Sequence, residues 1–252
     1  MTLSDQFRRT DDEAARRGHP SYVWRAGQDR RLGLVSEWAN LKDARILDNG
    51  CGVGMYTAKF RQFSPRVAGI EIDLAAAAQA LSHTEAHIAV GRGEALPFPD
   101  HSFDVIFSHE VIEHVDNDLR YAREMVRVLA RGGRIVLFCP NRLYPFETHG
   151  HYWRGRYHFG NSPLINWLPN PLRNRLAPHV RAYTGAGLRG LFAGQPVRVI
   201  HHQVIYPGFD NIVATRPRLG RWLRRALYTM EHTPLQIFGL SHFLVLERFA
   251  AP

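Results

Sequence analysis

The run Asp48-Asn49-Gly50-Cys51-Gly52-Val53-Gly54 combines one carboxylate with three glycines at alternate positions. Glycines so spaced let the main chain approach a ligand closely, and a helix opening behind them turns its free N–H groups toward the same place. A dinucleotide puts its pyrophosphate on such a turn, and Asp48, two residues before the first glycine, would repel it. The same carboxylate suits the ammonium of a methionine moiety. Glu71 follows Gly54 by 17 residues, at the end of the next apolar run, where a carboxylate takes both hydroxyls of a ribose. Together the two acids favour S-adenosylmethionine over NAD or FAD.

Methyl transfer from a sulfonium is an in-line displacement, so the protein must align a nucleophile and, for a hydroxyl, accept its proton. Side chains suited to that lie in Ser108-His109-Glu110-Val111-Ile112-Glu113-His114 and at Glu147, His149 and His151. Helical spacing would bring Glu110, Glu113 and His114 to one side. An imidazole titrates near neutrality, which makes His114 or His149 the candidate general base, with Glu113 beside them. Glu110, Glu113, His114 and His149 could instead hold a divalent metal that polarises an attacking hydroxyl. Tyr144, Tyr152, Trp153, Tyr157, His158 and Phe159 surround His149 and His151 in sequence, as in a lid for a flat or sugar-like acceptor.

Rigid elements must position these groups. Apolar, β-branched runs at residues 45–47, 66–72, 87–90, 103–108 and 134–139 alternate with helical stretches at 56–63, 74–82 and 119–129. That alternation predicts βαβ units and a doubly wound parallel sheet, an α/β fold. Leu32, Val35 and Trp38 predict a helix over 28–38, and the polar lead-in holds a short one over 11–17. Gly132-Gly133 would close the last helix. Residues 197–206 and 240–249 read as two further strands, pairing antiparallel at the sheet edge. Between them, residues 217–230 set Leu219, Trp222, Leu223, Ala226, Leu227 and Met230 on one face and Arg218, Arg221, Arg224 and Arg225 on the other. Such a basic amphipathic helix either meets an anionic membrane or covers the sheet edge.

Residues 46–57, 67–73, 91–108 and 129–140 resemble, in order, the motifs of class I S-adenosylmethionine-dependent methyltransferases. Gly93-Glu94-Ala95-Leu96-Pro97-Phe98-Pro99 and Ser102-Phe103-Asp104 are similar to the small-molecule branch of ubiquinone and menaquinone type, known as methyltransferase type 11. The resemblance implies a Rossmann-like seven-stranded sheet, mostly parallel with an antiparallel edge, and a substrate lid inserted after the fifth strand. It implies that Asp48, Gly50 and Gly52 contact the methionine part of the cofactor, Glu71 and Ile72 its ribose and adenine, and Gly93 and Glu94 the adenine edge. Cys51, Gly54 and Ser108 complete that set. The chain departs from the family at Arg92, where an Asp commonly accepts from the adenine amino group. Glu110-x-x-Glu113-His114 is similar to the metal set of small-RNA 2′-O-methyltransferases. The Glu-His pair also recurs in metal-free small-molecule relatives, so no metal is expected.

A chain of 252 residues, 45% hydrophobic, suits one domain. Its parts are a lead-in and helix to 40, a cofactor core over 41–140, an aromatic and arginine-rich insertion over 141–195, and C-terminal strands with the basic helix over 196–252. Two cysteines, Cys51 and Cys139, suggest neither a disulfide framework nor a zinc pair. No run reaches the ~20 apolar residues of a membrane span, and residues 1–17 are charged, so a cytoplasmic protein is expected. The net charge of +9 is one-sided: residues 141–252 hold 14 basic side chains, all arginine, against 4 acidic ones. Arginine forks favour phosphate and carboxylate. A small or lipid-linked acceptor at an anionic membrane therefore fits better than RNA, for which no binding module is recognisable. A non-catalytic cofactor-binding protein is the third alternative.

Overall fold

Adjacent apolar residues of one strand part company to opposite sides of the sheet. In the computed structural model, which describes residues 24–249, Ile46, Val105, Val136 and Phe138 join one core while Leu47, Ile106, Ile135 and Leu137 join the other. This is the two-residue period of a strand. Both faces are covered by protein, which is why these strands read as unbroken apolar runs. The short helix expected over 11–17 lies outside the described residues.

The strands β1 (Ile46–Asn49), β2 (Val67–Glu71), β3 (His87–Val90), β4 (Phe103–His109) and β5 (Leu129–Pro140) are parallel. With β10 (Val197–Ile205) and β11 (Ser241–Arg248) they form one seven-stranded sheet ordered β10-β11-β5-β4-β1-β2-β3. β11 runs antiparallel to both β5 and β10. Strand order reverses between β1 and β4, where ligands of doubly wound sheets bind beyond the carboxyl ends. Val35 of α1 (Ala26–Trp38) and Tyr56 and Phe60 of α2 (Met55–Phe60) pack on one face. Tyr121 and Met125 of α4 (Asp118–Val128) pack on the other. α3 (Leu74–Thr84), capped by Asp73, connects β2 to β3.

Two local expectations are corrected. Gly132-Gly133 does not end a helix: α4 stops at Val128 and Leu129 is already extended, so the glycines lie within β5. Gly132 has φ +72, and a Cβ on Gly133 would lie 2.8 Å from the Asp104 carbonyl oxygen. They form an irregularity where the β4–β5 register shifts. Residues 110–115 are not helical either. Glu110 has φ 56, its N–H bonds the Phe138 carbonyl at 3.0 Å, and helix begins only where Asn117 caps α4. The chain there must turn over the glycine loop, which leaves no room for helix.

Between β5 and β10 the chain forms four two- or three-residue strands, β6 (Phe146–Glu147), β7 (His151–Trp153), β8 (Arg156–His158) and β9 (Ser162–Pro163), then α5 (Asn170–Leu176) and α6 (Gly185–Gly190). After β10 come α7 (Asp210–Thr215) and α8 (Pro217–Met230). α8 does not cover the sheet edge: only Gly220 is buried, and a Cβ there would lie 2.6 Å from Val213 backbone, so the missing side chain lets α8 sit on α7. Its apolar face stays partly in solvent.

Candidate functional site

The glycine loop leaves β1 under tight constraint. Gly50 and Cys51 both donate to the Ile70 carbonyl, at 2.9 and 3.0 Å, which folds the loop back onto β2. Gly50, Gly52 and Gly54 all have positive φ. A Cβ on Gly50 would come 2.3 Å from Val111 Cγ2, and one on Gly54 would strike Thr84 and Ala80 of α3. Above Gly52 nothing lies within 4 Å. That open space beside the loop is where a cofactor can approach. Gly50→Ala is expected to lower stability by about 2 kcal/mol through overpacking and an unfavourable φ, read as the midpoint of urea unfolding.

The acids before and behind the loop are both engaged. Asp48 is buried, and Thr57 Oγ1 donates to its Oδ2 at 2.6 Å. Burial raises its pKa to about 7, with the nearby Glu71 adding to the effect. Glu71 accepts from the Gly52 N–H at 2.8 Å and from the Asp73 N–H at 2.9 Å, so it ties loop to strand. Cys51 is buried, its sulfur filling the space left by Gly69. Ile72 is exposed beside Glu71.

Three residues assigned to the cofactor, Gly93 and Glu94 of them to its adenine edge, also brace the fold. Ser108 is fully buried and shares its hydroxyl with Tyr121, at 2.9 Å, beneath the loop. Glu94 accepts from the Asp116 N–H at 2.9 Å, holding the turn before α4. Gly93 packs so closely that a Cβ would meet the Tyr121 ring at 2.2 Å. Arg92 pairs with the exposed Asp116. Asn49, which sequence reasoning passed over, is buried beside Gly93 with no hydrogen-bond partner for its amide. It is a polar group available to a bound adenosyl moiety.

Past β4 the turn achieves what helical spacing was expected to do. Val111 seats on Gly50, and around it gather Glu110, Glu113 and His114, met by His149 from the insertion. His149 Nε2 lies 3.8 Å from Glu110 Oε2 and 4.0 Å from Glu113 Oε1. Its Nδ1 is 3.1 Å from Glu147 Oε1, and Glu147 Oε2 accepts from Arg173 Nη2 at 2.9 Å. Arg173 is 2% exposed, with its other donors on the Val180 carbonyl and Asn166 Oδ1. Arg173 therefore fixes Glu147, Glu147 orients the imidazole, and Nε2 is left to face the acids. His151 takes no part; its Nδ1 meets Ser162 Oγ at 2.7 Å and its ring stacks on His158.

Burial sets the charges. Glu113 is 1% exposed, neither of its oxygens has a hydrogen-bond partner among the described residues, and burial next to Glu110 raises its pKa well above the carboxylate range. Burial would raise Glu110 too, but His109, His149 and Arg31 outweigh it and the result is a lowered pKa. Ser241 Oγ donates to Glu110 at 3.1 Å. Burial holds His114 down to about 4, which makes it a poor proton acceptor near neutrality. Ligand atoms of Glu113, His114 and His149 lie within 4.8 Å of one another, a spacing a divalent cation could bridge. Arg31 and Arg173 carried no local signal in the sequence, because each acts on residues far along the chain.

A sequence profile for a methyltransferase domain matches residues 47–137. An uncharacterized methyltransferase of Bacillus subtilis is 30% identical over 167 residues, covering 62% of this chain and 65% of that protein. The chloroplastic tocopherol O-methyltransferase of Arabidopsis thaliana is 35% identical over 138 residues, 49% of this chain and 38% of the enzyme. Less than two-thirds of either relative is thus spanned. A Mesorhizobium loti S-adenosylmethionine-dependent methyltransferase has the same fold, with a TM-score of 0.61 at 19% identity over 86% of this chain and 96% of its own.

Proposed function

The chain belongs to the class I S-adenosylmethionine-dependent methyltransferase superfamily, and from that premise we propose that it methylates a hydroxyl of a small amphipathic acceptor, with His149 as general base. S-adenosylmethionine is the cofactor of this family and fold, and it supplies an electrophilic methyl that carries its own leaving group. The open, positive-φ loop and the buried Asp48 fit it. Asp48 would take the ammonium and Glu71 the ribose.

The observation that carries the reading is the anchored imidazole. With Nδ1–H donated to Glu147, Nε2 holds a lone pair and can take the acceptor's proton. Glu110, ionised, stabilises the imidazolium that results. Quinone-type phenols, polyketides and lipid-linked sugars are acceptors of suitable shape, and one relative is named for O-methylation of tocopherol.

The decisive measurement pairs calorimetric titration of adenosylhomocysteine with transfer of a labelled methyl group to phenolic acceptors. Gly52→Arg, which fills the open space above the loop, is expected to abolish binding; unchanged titration would reject the cofactor site. A second reading has one observation in its favour, the buried and unpaired oxygens of Glu113. A divalent metal on Glu113, His114 and His149 would occupy the imidazole and polarise the hydroxyl instead. Under the first reading, turnover is expected to survive a chelator in metal-free buffer. Loss of turnover restored by added Mn²⁺ or Zn²⁺ would replace it with the second.

A further inference from the structure

Residues 141–252 contain four acidic side chains, and each is already paired. Glu147 pairs with Arg173, Asp210 with Arg224, Glu231 with Arg30, and Glu247 with Arg198. No carboxylate among the described residues is left within ion-pair distance of Arg218, Arg221 or Arg225 on α8. With Arg224, Tyr228, Thr229 and His232, Arg221 and Arg225 line a shallow recess of about 500 Å³. Its size and cationic lining suit a phosphate-bearing headgroup.

The other flank of α8 is apolar and, among the described residues, left partly uncovered. α8 rests on α7 through Gly220 and on α1 through Tyr228, whose ring lies under Arg30 at 3.8 Å. Leu219 and Trp222 are left 44% and 66% exposed. The 3-10 turn Pro234–Phe238 that follows exposes Leu235 and Ile237, and Phe238 meets Trp167 of the insertion, itself half exposed, at 6.2 Å. An arginine flank beside an apolar crest topped by tryptophan is the arrangement of a helix lying in a lipid–water interface. RNA would satisfy the arginines and leave the leucines and tryptophans in water. Among the described residues no helix is long and apolar enough to cross a membrane, so the contact is peripheral.

We infer that α8 and the turn after it dock on an anionic lipid surface, Arg218, Arg221 and Arg225 taking headgroup phosphates while Leu219 and Trp222 enter the interface. The docked face adjoins the site. Glu231, just after α8, accepts from Arg30 Nη1 at 3.0 Å and from the Tyr206 N–H at 2.7 Å. The next residue of α1, Arg31, lies over the Phe138 ring at 5.8 Å and contributes to the charge balance of Glu110. If the chain methylates an amphipathic acceptor, as proposed above, this surface presents an acceptor with a lipid tail directly to it.

Sedimentation with vesicles, run without methyl donor or acceptor, tests the docking separately from the chemistry. Vesicles of equal parts phosphatidylglycerol and phosphatidylcholine are expected to bind the protein at least tenfold better than phosphatidylcholine alone. Replacing Arg218, Arg221 and Arg225 together by Glu should weaken binding about a hundredfold or more, since each arginine near an anionic surface is worth about fivefold. Trp222→Ala should weaken it roughly tenfold. All these side chains are exposed, so thermal midpoints and adenosylhomocysteine binding should stay unchanged in the variants. Equal binding to both vesicles, wild-type binding by either variant, or displacement of the vesicles by single-stranded RNA would overturn the inference.

Discussion

Asp48→Asn is expected to stabilise the cofactor-free protein and at the same time weaken adenosylhomocysteine binding about a hundredfold. The two effects share one cause. Asp48 is 2% exposed, its strongest partner is the neutral Thr57 hydroxyl, and burial lifts its pKa to about 7. An ionised carboxylate there has no counter-charge until an ammonium arrives. Asparagine keeps an oxygen to accept from Thr57 and removes the charge. It also removes the partner of the ammonium, a loss of about 3 kcal/mol for a buried charge pair.

The sign with pH follows from the direction of the shift. A carboxyl group whose pKa is raised by folding stabilises the folded form fully below its unfolded value near 4, and that contribution disappears as pH rises through about 7. The difference is on the order of 4 kcal/mol. The asparagine variant should therefore match the wild type near pH 4 and exceed it above pH 7, by roughly 8 to 16 °C in Tm. Cofactor binding should run the other way in the wild type, strengthening as pH rises through 7 with release of a proton, and should be flat in the variant. Calorimetry in buffers of different ionisation enthalpy reads that proton. A wild-type affinity independent of pH would remove Asp48 from the ammonium site.

The features legible in the sequence are those whose partners lie nearby in the chain. Gly50, Gly52 and Gly54 share one turn, and Glu71 ends the strand paired directly with β1. The sheet was legible because β1, β4 and β5 are covered on both faces, so nothing interrupts their apolar runs. What was misread depends on contacts across the chain. Glu110, Glu113 and His114 converge, but through a turn forced by Val111 on Gly50, 61 residues upstream. Glu94 also accepts from the Asp116 N–H, a partner 22 residues on that its sequence surroundings do not announce. The apolar face of α8 fits a sheet-covering helix and an interfacial one equally, and its seating on Val213 through Gly220 is a contact that the pattern alone does not show.

Glu147 is the sharpest instance, because its importance depends on Arg173, 26 residues later and fully enclosed. Glu147→Gln is expected to lower kcat on the order of a thousandfold while leaving KM and adenosylhomocysteine affinity within a few-fold. A Gln side chain can donate to Nδ1 as readily as accept from it, so the imidazole can take the tautomer with its proton on Nε2, where it has no lone pair for the acceptor. His149→Ala should reach the same low rate, and the double variant should fall no further, since the two act as one unit. Arg173→Leu tests the next link. It leaves Glu147 buried without its cation and is expected to cost about 3 to 5 kcal/mol of stability. Arg173→Lys, which keeps the charge but not the fork, should fold and turn over at a reduced rate. A fall in kcat limited to a few-fold in Glu147→Gln would mean that Glu147 only braces the insertion and that the proton leaves by another route.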